Sequence, residues 1–126
     1  MGMMQRQKGA TGEREIVKLL NDYGFWARRG QVFNGEPDII CPALPVHFEV
    51  KRHEELCLPQ WFRQAAKDCG ENYPAVVYRQ SRKPWTIIMN AGDFTDLTAG
   101  EKITEQPFKV SMLFEEFLAI MKELAQ

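Results

Sequence analysis

The chain has 126 residues, 44% of them hydrophobic and 26% charged, with a formal net charge of −1. That is enough chain for one domain, expected over residues 1–126 and burying roughly two-thirds of its unfolded surface, and no stretch approaches the roughly 20 apolar residues of a membrane span. Cys41, Cys57 and Cys69 are odd in number and lack CxxC spacing, which argues against a disulfide framework and a zinc ribbon, and a site combining Cys41 and Cys57 with His47 and His53 matches no common zinc spacing.

Before Thr11 the sequence is polar and basic, with no apolar stretch or small-residue cleavage site, so no secretion signal is read there and a cytoplasmic location is expected. From Glu13 the residues Ile16, Val17, Leu20 and Tyr23 recur at helical spacing until Gly24 ends them. Phe25 to Arg29 reads as a strand closed by Gly30, and Pro37 to Cys41 as a second, entered through Asn34-Gly35. Val46 to Lys51 alternates strictly, with Val46, Phe48 and Val50 on one face and His47, Glu49 and Lys51 on the other.

Pro59 suits the first turn of a helix and Gly70 its end, so residues 59–69 are expected to be helical. Trp61, Ala65 and Cys69 share one side of it, Gln60, Gln64 and Lys67 another. Ala75 to Arg79 and Trp85 to Met89 read as strands joined in a hairpin by QSRKP. Residues 90–109 are weakly patterned. Ser111 is expected to cap a final helix whose stripe is Leu113, Phe114, Phe117, Leu118, Met121 and Leu124, and that helix either covers the sheet or offers an interface. The resulting order, αβββαββα, implies an α/β fold with a mixed central sheet flanked by helices.

Charge is unevenly spread. Residues 1–90 carry 13 Lys and Arg against 10 Asp and Glu, and residues 91–126 carry 3 against 7, a net of +3 and −4. Phosphate contacts therefore belong to the first ninety residues. Trp26, Trp61 and Trp85 can stack on unpaired bases, but their apolar neighbours favour the core.

The chemistry sits in two neighbouring strands. Asp38 opens one, and Glu49 and Lys51 stand two apart on a face of the next, so two carboxylates and an amine can meet. Hard oxygen ligands hold Mg²⁺ while leaving positions for water and phosphate, and a neighbouring amine orients the attacking water or steadies developing charge. Glu13 continues the apolar stripe of the first helix, so its carboxylate faces inward and needs a partner. Favourable placement at a helix start, about 0.3–1 kcal/mol, explains its position along the helix but not its face.

The spacing Pro37-Asp38, ten residues, then Glu49-Val50-Lys51 resembles the PD-(D/E)xK nuclease signature. KGATGEREIVKLL, residues 8–20, is similar to the opening of archaeal Holliday junction resolvases and related phage resolvases. The resemblance is good over residues 8–52, holds in element order over 53–89, and is poor beyond. It implies a restriction-endonuclease-like core in which Glu13, Asp38, Glu49 and the Val50 backbone carbonyl hold Mg²⁺, with Mn²⁺ able to substitute, and Lys51 assists the attack. The implied reaction is hydrolysis of branched DNA by a homodimer, leaving 5′-phosphate ends.

The stretches Gly35-Glu36-Pro37-Asp38 and Leu58-Pro59-Gln60 are closer to stand-alone VRR-type nucleases, where a glutamine lies near the site. Gln60 and Gln64 are both candidates for it. Lys8, Gly9, Arg28, Arg29, Arg52, Arg63 and Lys67 are the main candidate DNA contacts, with Arg6 and a second group, Arg79, Arg82 and Lys83, beside them. The other readings are a flap, fork or restriction-type endonuclease using the same residues, and a non-catalytic DNA-binding protein that keeps the fold.

Overall fold

The computed structural model describes residues 3–126, with side chains from residue 9 onward. The opening helix, α1 (Met3–Asp22), begins before the apolar stripe and runs through Gly9 and Gly12. Ile16 and Leu20 are fully buried along it. Gly12 lets it lie close to the sheet: a Cβ there would meet the Trp85 ring at 3.2 Å and Val50 at 3.5 Å. A Schellman turn ends it, with Phe25 N–H donating to Leu20 O and Gly24 N–H to Asn21 O, and Gly24 takes the positive φ of 91° that this turn requires. The Asn21 amide then clasps both backbone groups of Ala27, which aims the chain into the next strand.

β1 (Arg28–Arg29) pairs antiparallel with β2 (Ile39–Ile40) in a small hairpin separate from the main sheet. Their loop is tightly closed. Gly30 N–H donates to Asp38 O at 2.8 Å, and a Cβ on Gly30 would lie 1.6 Å from Pro37 O, so only glycine fits. Glu36 accepts two bonds from Arg28, at 3.1 and 2.8 Å, and a third from Gln31 N–H at 2.8 Å. Between them, Val32–Asn34 forms a single 3₁₀ turn capped by left-handed Gly35.

The main sheet has the order β3 (Val46–Arg52), β4 (Tyr73–Arg79), β5 (Thr86–Asn90), β6 (Lys109–Leu113). β3 and β4 are parallel and the other pairs antiparallel, so the sheet is mixed. A parallel pair needs a crossover, and α2 (Leu58–Asp68), with Pro59 in its first turn, supplies it. One face of the sheet packs Phe48, Val77, Ile87 and Met89 against α1 and against α4 (Phe114–Leu124). Phe114 meets Phe48 edge to face at 5.9 Å. On the other face Val76 packs with Trp61 and Ala65 of α2.

Four expectations change. Residues 90–113 hold a helix, α3 (Ala91–Ala99), and the edge strand β6. Ser111 lies exposed in β6 and caps nothing; α4 starts at Phe114, whose N–H bonds to Trp85 O, so the sheet supplies the partner expected from a serine. The α4 stripe is narrower than expected: Phe114, Phe117, Leu118 and Met121 are buried in the core, whereas Leu113 and Leu124 are exposed. Trp61 and Trp85 are core residues, but Trp26 is 59% exposed. Among the described residues no helix is long and apolar enough to cross a membrane.

Candidate active site

The alternation of β3 directs His47, Glu49 and Lys51 to the α2 side of the sheet, opposite Pro74, Val76 and Tyr78 of β4. There they line a cavity of about 820 Å³ with Asp38 and Val32 of the β1–β2 segment and Gln64 and Asp68 of α2. Glu49 is buried, and both its oxygens have neighbours: His47 Nε2 lies 3.4 Å from Oε1 and Lys51 Nζ 3.5 Å from Oε2.

Glu13 approaches from α1. Its carboxylate accepts Arg29 Nε at 3.0 Å and lies near Asp38. Burial and then the negative charge of Asp38 raise its pKa above the ordinary carboxylate value, and Arg29 opposes the rise. Glu13 and Asp38 thus meet on one side, and Asp38 shares the cavity with Glu49 and Lys51. The three carboxylates are not gathered about one point: among the described residues no three His, Cys, Asp or Glu side chains stand close enough to hold one metal ion as they are.

Val50 presents backbone rather than side chain. His53 N–H donates to Arg79 O and Pro45 O accepts from Tyr73 N–H, so odd-numbered residues of this stretch address β4. By alternation the Val50 carbonyl faces the other edge of β3, where no strand among the described residues pairs with it.

The remaining candidates divide. Gln64 lines the cavity and donates to Asp68, whereas Gln60, one turn earlier on α2, is exposed and does not line it. Arg63 and Lys67 are exposed on α2, and Gly9 is exposed on α1. Arg28 and Arg29 are ion-paired with Glu36 and Glu13 but keep 42% and 40% of their side-chain surface in solvent. Arg52 is half-buried with its Nε unpartnered, and Arg79 is paired with Glu15 at 2.8 Å. The Arg6 and Lys8 side chains lie outside the described residues. The sequence reading gave no role at this cavity to His47, although its place on the Glu49 face of an alternating strand was the signal for it.

A mixed sheet whose edge strand carries Glu-x-Lys beside an Asp from the preceding hairpin, with helices on both faces, is the restriction-endonuclease-like core of the PD-(D/E)xK nucleases. Residues 4–124 match the family described as "Phage putative PDDEXK endonuclease", and the chain belongs to it. Among solved structures it is similar to Archaeoglobus fulgidus Hjc, a Holliday junction resolvase from an archaeal hyperthermophile. That similarity has a TM-score of 0.52 at 21% identity and covers 89% of this chain and 96% of the other. No curated protein matches the chain.

Proposed function

We propose that the protein is a Mg²⁺-dependent, structure-selective DNA endonuclease of Holliday junction resolvase type, with Mn²⁺ able to replace Mg²⁺ and 5′-phosphate ends as products. The observation that carries this reading is the shared cavity of Asp38, Glu49 and Lys51, with Glu13 close enough to Asp38 to feel its charge. The donors suit a hard divalent cation: carboxylate oxygens of Glu13, Asp38 and Glu49, and the Val50 carbonyl on the unpaired edge of β3. Two carboxylates in contact without a cation carry a repulsion that one would relieve, which supports the assignment further. To hold one cation together, the three carboxylates would have to draw closer than they stand here.

Held by these ligands, a cation would supply a bound water of lowered pKa and would screen charge on the phosphate. Lys51 supplies the rest from the protein, since its ammonium beside Glu49 can hydrogen-bond the incoming water or the scissile phosphate. Gln64 lines the same cavity and is the glutamine better placed to orient a phosphate oxygen. A four-way junction has approximate two-fold symmetry, so paired incisions call for a homodimer with one site per copy.

The test is cleavage of a matched set of junction, flap, fork and linear DNA with Mg²⁺, using wild type, Glu49→Ala and Lys51→Ala, with sedimentation to fix the assembly. Metal-dependent cutting that prefers the junction and is lost in both variants is expected. Cutting that prefers flap or fork would move the enzyme elsewhere in the superfamily. Cutting that survives both substitutions would remove the assigned site.

A further inference from the structure

The loop between β1 and β2 gives two apolar side chains to solvent. Phe33 is 86% exposed and Val32 70%, the highest values among the exposed large hydrophobic residues described. Hydrogen bonds surround their 3₁₀ turn. Gly30 N–H closes the loop on Asp38 O, the Arg28–Glu36 pair clamps its two limbs, and the Asn34 amide bonds to the Gln31 side chain at 2.6 Å. Two adjoining apolar side chains this exposed are available to a contact surface.

Its position names the partner. Val32, Gly35 and Glu36 of this loop line the cavity that holds Asp38, Glu49 and Lys51, and Phe33 is carried on the same loop between them in the chain. Arg28 and Arg29, both partly exposed, lie at the base of the same hairpin. A flat apolar ring with guanidinium groups beside it suits a nucleobase and its phosphate. In continuous duplex the base faces are covered by their neighbours, so the ring can stack only where a base step is open.

Resting on the endonuclease reading above, we propose that Phe33 is a base-stacking platform that engages an unstacked nucleobase at a branch or discontinuity in DNA. Selectivity for structured DNA then arises at this ring, while the carboxylates and Lys51 act on the backbone.

The test compares full-length wild type, Phe33→Ala and Phe33→Trp in chelator. Each binds a synthetic four-way junction carrying 2-aminopurine at the branch, or a linear duplex of the same arm sequence. Phe33→Ala is expected to weaken junction binding about tenfold while changing duplex binding by less than about twofold, with Phe33→Trp close to wild type. The branch fluorophore is expected to respond to wild type and Phe33→Trp but not to Phe33→Ala. Equal losses on both DNAs, or no loss on either, overturn the proposal. So does a lower sedimenting mass for Phe33→Ala, which would make the ring a contact between two copies of the chain. The exposed position keeps folding out of the comparison, and matching melting temperatures check this. Ring-dependent junction binding by a wild type that cuts no DNA would defeat the nuclease reading alone. Cutting with junction preference intact in Phe33→Ala would defeat only the stacking platform.

Discussion

Asp38 lies near the half-buried carboxyl of Glu13, where like charges oppose each other more than they would in water. Asp38→Asn removes that opposition and also removes a proposed ligand. Cleavage is expected to fall at least about 100-fold, while the melting temperature in chelator stays level or rises. A fall comparable to deleting a core side chain, about 2–5 kcal/mol, would make Asp38 structural. Glu49 is steadied instead of opposed, with His47 at one oxygen and Lys51 at the other. Without the imidazole the carboxylate is free to turn, so His47→Ala is expected to weaken Mn²⁺ binding and cleavage about 10–100-fold. His47→Gln, which keeps a donor at that position, should recover part of it, and calorimetric Mn²⁺ titration beside cleavage rates checks both.

At the level of elements, the β1–β2 hairpin depends on the Arg28–Glu36 clamp. Arg28 and the Gln31 N–H hold the Glu36 pKa at about 2, below the ordinary 4.5. A carboxylate with a depressed folded pKa stabilises the fold above its unfolded value, and this is lost as pH falls through the folded one. The clamp should therefore release between pH 4.5 and 2. Glu36→Gln is expected to lose less melting temperature than wild type across that window, as thermal scans at stepped pH would read. The α1–sheet contact depends on Gly12 in the same way, because any larger residue must displace the Trp85 ring. Gly12→Val is expected to cost about 1–3 kcal/mol and to cut activity further by shifting Glu13, its neighbour in the chain. Denaturant melts and cleavage rates separate the two losses.

Legibility in the sequence followed the same elements. β3 was readable because its alternation is strict, and α2 because Pro59 and Gly70 punctuate it. α3 and β6 were not, since an exposed edge strand shows little hydrophobic contrast and its junction with α4 is satisfied by Trp85 O instead of a local cap. Nor does local pattern say that β1 and β2 leave the main sheet. The inward face of Glu13 was visible from helical spacing, yet its contacts with Asp38 and Arg29 come from chain segments that periodicity cannot connect.

Across the whole molecule, net charge is positive over residues 1–90 and negative over residues 91–126, which favours polyanion contacts from the former. Arg63 and Lys67 lie exposed on the helix that walls the cavity, whereas Arg28 and Arg29 are partly neutralised by carboxylates. Arg63→Ala and Lys67→Ala are each expected to reduce the slope of log K against log salt by about 1, with no change in preferred DNA structure. Salt titrations of junction and duplex binding would show it. The parallel pairing of β3 with β4 has a different kind of consequence. The strand bearing Glu49 and Lys51 finds its sheet neighbour only once the chain has been made through Arg79, with the α2 crossover folded between them. A polypeptide not yet made through Arg79 cannot pair these strands, so any nuclease activity waits on that stretch of chain.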